Sequence, residues 1–260
     1  MNAIPKVTVV VALYNQGEYL EECINSVLAQ SYDDYEIMIV NDGSTDPHTV
    51  ELLKTYRPDK TTILHKENGH LSSARNYGIE RTSSPYVLIL DADDKFEPTF
   101  LDKAVDFLEN NPEFGVCTCL QQNFGENTDL GNPGGGNVLD FLADNHCLGN
   151  CLIRRACWVD AGGYDETMKS GYEDWNFWIG VTKNGWKVHV IDEGLFLYRI
   201  KNHSMSTESE KKRPALVRRI VENHIDLYKD NVAAVIEAKE HTILNLKQKV
   251  QALENEKNKN

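Results

Sequence analysis

Three carboxylates, Asp91, Asp93 and Asp94, fall within four positions of "PYVLILDADDKFEP" (85–98). Like charges so close repel one another unless something positive sits between them. Directly before them run five apolar or aromatic residues, Tyr86 to Leu90, a pattern that predicts a buried strand. The carboxylates then emerge at its carboxyl end, where open α/β sheets bind ligands. The chemistry this suits is a hard divalent cation holding a polyphosphate; the rival is a solvated acidic turn before Pro98. Other polar clusters sit at expected strand or loop ends: Asp42 in "NDGSTD", Arg75 in an Asn-rich loop, Glu173 and Asp174 in "YEDW", and "YRIKNHS" at 198–204.

The elements that must position these groups alternate. "KVTVVVALYN" (6–15) predicts a buried strand ending at Tyr14-Asn15, and Tyr19, Leu20, Cys23, Ile24, Val27 and Leu28 then share one face of a helix. "YEIMIV" (35–40) is a second strand, and Asp46-Pro47 is an N-cap and N1 pair opening the next helix. "TTILH" (61–65) is a third strand, "ENGHLSSARNYGIERT" a loop and helix, and "YVLIL" the strand that delivers the carboxylates. Such alternation over about 100 residues predicts a largely parallel, nucleotide-binding sheet.

Residues 121–150 contain "GENTDLGNPGGGN", expected to be a flexible loop near the site; no Lys-Ser/Thr follows the glycines as a phosphate loop requires. Helical periodicity returns at 173–185 and a strand at 187–191. From about residue 207 the character changes to helix. Val217, Ile220, Val221, His224, Ile225 and Tyr228 repeat at helical spacing, and Ile236, Ile243, Leu246, Val250 and Leu253 approximate a heptad seam interrupted by Lys239 and Lys257. The expected division is a domain over 1–206 and a helical tail over 207–260, either a short coiled coil that could make a homodimer or a helix packed on its own domain. Ending as a polar helix with no terminating signal, the chain is open to being part of something longer.

The formal net charge is −13, with residues 201–260 at about +3 (12 Lys+Arg against 9 Asp+Glu) and the first 200 residues therefore at −16. That argues against nucleic acid as a partner, which needs a basic face. The apolar run "VTVVVAL" is too short for a signal core or a membrane span. Six cysteines lie in a chain large enough not to need disulfides. Cys117/Cys119 and Cys147/Cys151 lack the C-x₂-C knuckle of a zinc site, which leaves buried free thiols. The expected location is a reducing cytoplasm, with peripheral attachment at the inner membrane face left open.

Six blocks, "ALYNQGEYLEECINSVLAQSY", "EIMIVNDGSTD", "NGHLSSARNYGI", "YVLILDADD", "GGYDE" and "YEDWNFW", together resemble the inverting glycosyltransferases of family 2, which have the GT-A fold. The resemblance runs colinearly over about residues 5–205 and implies a mixed, largely parallel sheet flanked by helices, with a C-terminal helical tail. It implies a metal-dependent transfer of a sugar from a UDP-sugar to the hydroxyl of a glycan or lipid-linked acceptor, in surface polysaccharide or glycan synthesis. By resemblance, Leu13 and Tyr14 belong to the loop that wraps the base, although Tyr14 also suits a core aromatic at a strand end. Asp42 accepts from the uracil N–H and would reject a base presenting an acceptor there. Arg75 approaches the nucleotide, with a solvated Arg on a helix face as its rival.

The same resemblance gives Asp91 the ribose and sugar side and Asp93 a Mn²⁺ or Mg²⁺ ion, while Asp94 orients its neighbours or faces solvent. His203 completes the metal site or is a lone surface His, and Arg199 neutralises the departing diphosphate. Asp174 is the general base for the attacking hydroxyl. Glu173 supports the acceptor, although both acids also suit the start of a helix.

Two other readings compete. A sugar nucleotidyltransferase would show a Gly-rich loop ending in Arg near the N-terminus, which "ALYNQGEYLEE" lacks. A non-catalytic sugar-nucleotide-binding or scaffold subunit would not need Asp93 and Asp174.

Overall fold

The computed structural model describes residues 4–125, 129–201 and 205–257. Strands β1 (Val7–Leu13), β2 (Tyr35–Asp42), β3 (Thr61–Lys66) and β4 (Tyr86–Asp91) alternate with helices α1 (Gly17–Leu28), α2 (Pro47–Thr55) and α3 (His70–Glu80). Next come β5 (Lys95–Phe96), α4 (Phe100–Asn110), β6 (Phe114–Gly125), β7 (Leu130–Gly131), α5 (Val138–Ala143), β8 (Cys151–Arg154) and α6 (Arg155–Ala161). The chain continues through α7 (Glu173–Thr182), β9 (Lys187–Ile200), α8 (Met205–Lys211), α9 (Arg213–Asn223) and α10 (Ile225–Lys257). One sheet of the described residues runs β3-β2-β1-β4-β8-β6-β9-β5, with β7 beside β6. This is the expected mixed sheet flanked by helices, followed by a helical region.

The first half is parallel throughout: β1 pairs with β2 and β4, and β2 with β3. All seven residues of β1 are buried, so its two faces feed two cores. Val7, Val9, Val11 and Leu13 pack among α1 and α4, while Val10 and Ala12 pack with α3 and α7. The expected N-cap is present, with the Thr49 N–H donating to Asp46 Oδ2 at 2.8 Å. A Cβ on Gly78 would lie 2.5 Å from Val10 Cγ1, so glycine there lets α3 lie flat against the sheet.

The second half supplies the antiparallel part of that mixed sheet. Strand β8 runs antiparallel to β4 and β6. The predicted strand at 187–191 extends to Ile200, pairing with β6 across a register shift. The described part of the glycine-rich segment is tied down rather than loose. Gly134, Gly135 and Gly136 take φ of +99°, +69° and +118°, a turn glycine makes at little steric cost. Gly136 and Val188 exchange N–H···O bonds of 3.0 and 2.9 Å, and Asn137 and Asp140 form a capping box on α5.

The tail does two things. Leu216, Ile220 and Val235 are buried, the latter two in the α7-side core. Beyond a kink at Asn231, Ile236, Ile243, Leu246, Val250 and Leu253 are exposed. No described helix is long and apolar enough to cross a membrane. All six cysteines are buried and free, and burial pushes the Cys119 thiol up to about 12.

Candidate functional site

The carboxyl ends of β1, β2 and β4 open into a cleft of about 560 Å³. One wall begins at Tyr14, which is 46% exposed and so is not a core aromatic; Leu13 below it is buried but still reaches the lining. Asn15 holds a left-handed φ of +54°, and its side-chain oxygen accepts from the N–H groups of Thr45 and Asp46 at 2.7 and 2.8 Å. That clamps the loop after β1 to the loop after β2. Asp42 is buried, and its Oδ1 accepts from Lys66 Nζ at 2.6 Å and the Gly69 N–H at 2.9 Å. Neither donor uses Oδ2, the second acceptor of an ionised carboxylate.

Arg75 lies on α3 rather than in a loop and is 1% exposed, so it is not solvated on a helix face. Its Nη2 donates to both oxygens of Asp91, at 2.9 and 3.1 Å, and its Nη1 to Glu173 Oε1 at 3.1 Å. One buried guanidinium thus joins the end of β4 to the start of α7. Charge-assisted bonds of this kind are strong, and removing one partner strands a buried charge.

Asp94 faces inward, not to solvent: it is 2% exposed, and its Oδ1 accepts from the Arg199 N–H at 2.9 Å. Burial, followed by its neighbours Asp93 and Asp91, holds its carboxyl well above the usual carboxylate range. Asn150 closes the cluster. Its Oδ1 accepts from the Asp91 N–H at 2.6 Å, and its Nδ2 reaches Asp91 and Asp94, both at 3.4 Å. Lys201, on the cleft wall, is ion-paired with Asp93. Arg199 is not on that wall; its guanidinium pairs with Glu22, donates from Nε to the Asp93 carbonyl at 2.9 Å and stacks over Tyr19. His203 lies outside the described residues.

Across the cleft, Glu173 and Asp174 open α7, whose preceding residue Tyr172 has a φ of +61°. That value is uncommon for a bulky residue. Asn145 Nδ2 donates to Asp174 Oδ2 at 2.9 Å. Burial raises the Asp174 carboxyl against the opposing pull of Arg75. Burial and the adjacent Asp174 lift Glu173 to about 7 despite its bond to Arg75. Asn145 and Asn150 were not legible as site residues, because a lone polar residue in a loop carries no period; Lys201 and Tyr172 lie within the "YRIKNHS" and "YEDW" clusters, but neither was given a role there.

Among the described residues, no group of three or more His, Cys, Asp or Glu is placed to hold a metal. Mg²⁺ is usually held through one or two carboxylates together with substrate phosphates. Asp93 offers a hard carboxylate of that kind on the cleft lining, while both oxygens of Asp91 accept from Arg75.

A mixed sheet, parallel in its first half, with acidic groups at the carboxyl ends of its strands and helices on its faces, is an architecture of the GT-A type. The chain belongs to glycosyl transferase family 2, whose model matches residues 8–157. It is 28% identical over 221 residues to an uncharacterised glycosyltransferase, EpsJ, of Bacillus subtilis, covering 78% of this chain and 63% of that one. It is 40% identical over 234 residues to the glycosyltransferase GlyA of Streptococcus pneumoniae, covering 82% of this chain but 33% of the relative. The chain thus spans less than two thirds of either.

Solved structures share the fold. Residues 1–349 of S. aureus TarS with UDP-GlcNAc superpose at a TM-score of 0.66 and 21% identity, over 78% of this chain and 61% of that one. The Pyrobaculum calidifontis mannosyltransferase PcManGT with GDP-Man and Mn²⁺ superposes at 0.63 and 18% identity, over 92% and 74%.

Proposed function

We propose that the chain moves a sugar from a UDP-sugar to an acceptor hydroxyl with inversion at the anomeric carbon. The observation that carries this reading is Asp174: a carboxylate lining the cleft, held by Asn145, on the wall facing the Asp91–Asp93 cluster. In an inverting displacement the acceptor oxygen bonds to the anomeric carbon as the bond to the diphosphate oxygen breaks. The hydroxyl proton passes to Asp174, whose raised carboxyl is a stronger base than a solvated aspartate. Lys66 and the Gly69 N–H fix one oxygen of Asp42, which supports its other oxygen receiving the N–H of uracil.

Asp93, with Asp91 beside it, would hold Mg²⁺ or Mn²⁺, which supplies charge neutralisation for the departing diphosphate. Lys201 brings a second positive charge to the same wall. The rim near Asp174 mixes apolar Met168, Tyr172 and Met205 with the hydroxyls of Ser206 and Ser209. Such a surface suits a sugar-bearing acceptor, in a glycan or on a lipid carrier, as surface polysaccharide synthesis would present. The exposed seam on α10 supports a homodimer. Asp174→Asn should retain UDP binding by calorimetry and lose at least about 100-fold in transfer rate; unchanged transfer would remove Asp174 from the role.

A further inference from the structure

The helices after residue 205 reach the candidate base through one side chain. Arg213, in the first turn of α9, donates from Nη1 to the Tyr172 hydroxyl at 3.0 Å and from Nη2 to Asp144 Oδ1 at 2.9 Å. The Tyr172 hydroxyl in turn donates to Glu210 Oε2 at 2.7 Å. Each partner of Arg213 leads to Asp174. Tyr172 stands two residues before it, at the N-cap of the same helix. Asp144 Oδ1 also accepts from the Asn145 N–H at 2.9 Å, and the Asn145 side chain holds Asp174. One guanidinium therefore braces the backbone entry to α7 and the amide that orients its carboxylate.

Two further observations describe the turn that the brace holds. Tyr172 keeps a left-handed conformation that a bulky residue holds only when its surroundings impose it. Gly171 before it, at φ +106°, packs so closely on α8 that a Cβ would lie 2.5 Å from Ser209 Cβ. The fork of Arg213 matches two separate oxygens at once, which a lysine ammonium cannot reproduce.

We propose that Arg213 is a positioning residue for Asp174, and that α8 and α9 form a structural part of the acceptor side of the site. The kinetic part of this inference rests on the transfer reading above; the conformational part does not. The test compares Arg213→Met, Arg213→Lys and Asp144→Asn in the full chain. Hydrogen exchange by mass spectrometry should show faster exchange at 145–147 and 172–176 in Arg213→Met and Asp144→Asn, with 216–235 unchanged. UDP affinity should stay within about twofold, because Asp42 lies on the other side of the cleft.

With a competent donor and acceptor, kcat should fall at least tenfold in both variants and no further in the double variant, with Arg213→Lys intermediate. Exchange confined to the wild-type pattern would overturn the proposal. So would a uniform rise across α9 and α10, which marks a general packing role. Absence of transfer by the wild type with every UDP-sugar tried would instead defeat the transfer reading, and the exchange data would still decide the brace.

Discussion

At the scale of residues, the site is a set of carboxylates sharing too few cations. Arg75 is committed to Asp91 and Glu173 at once, and Glu173 still titrates near 7. A carboxyl raised above its ordinary value, about 4.3, binds its proton more tightly in the folded chain. The stability it contributes is complete below that value and is lost as pH rises through 7, by at most about 4 kcal/mol. Glu173→Gln keeps an acceptor for Arg75 and cannot ionise. Melting curves between pH 5 and 8 should therefore fall less steeply for the variant than for the wild type; parallel curves would assign the dependence to another group. Arg75→Met strands two carboxylates and should cost about 3–5 kcal/mol by denaturant unfolding. The positions of Asp42, Asp91 and Asp93 were readable because an apolar run that stops at an acid marks a strand end. The environment of Asp94 was not, since the strand that covers it, β9, lies about 100 residues on and no local pattern announces a long-range contact.

At the scale of elements, β1, β2 and β4 followed from their apolar runs because each is buried on both faces, and β3, half-buried along its length, followed from its place in the strand–helix alternation. β6 and β8 escaped notice. "CLIR" is four residues long, and the cysteine-rich stretch "FGVCTCLQQNFG" mixes buried and half-buried positions. The glycine-rich segment misled for a different reason: glycine marks flexible chain and tight turns alike, and only the partner, Val188, tells them apart. Helix α10 makes the plainest prediction. Ile236, Ile243 and Val250 occupy one heptad position and Leu246 and Leu253 the other. A β-branched residue at the first position with Leu at the second favours two parallel strands. In register, Lys249 of each helix faces Glu254 of its partner. Sedimentation equilibrium should show a dimer that Leu246→Asp converts to monomer, while Lys249→Glu weakens it and Lys249→Glu with Glu254→Lys restores it. A monomer at every concentration would assign the seam to another partner.

At the scale of the whole molecule, the proposed function asks an acidic body to attract a polyanion. The −16 carried by the first 200 residues opposes a nucleotide diphosphate at long range, so on that proposal binding would rely on local cations and on a metal. Calorimetry should find UDP binding with Mn²⁺ that disappears with chelator or in Asp93→Ala. CDP should bind far more weakly, because cytosine would set an acceptor against Asp42; a preference for GDP would overturn that role for Asp42. On the proposed function, the ion pair between Lys201 and Asp93 would shape how these ligands enter. Asp93 is not bare before they arrive, since an ammonium of the same chain already neutralises it. A divalent ion entering alone must displace that ammonium, whereas one entering with a diphosphate gives Lys201 new anionic oxygens to turn to. Metal and donor should then favour each other's binding by the same factor in either order, and the empty protein should bind loose cations only weakly.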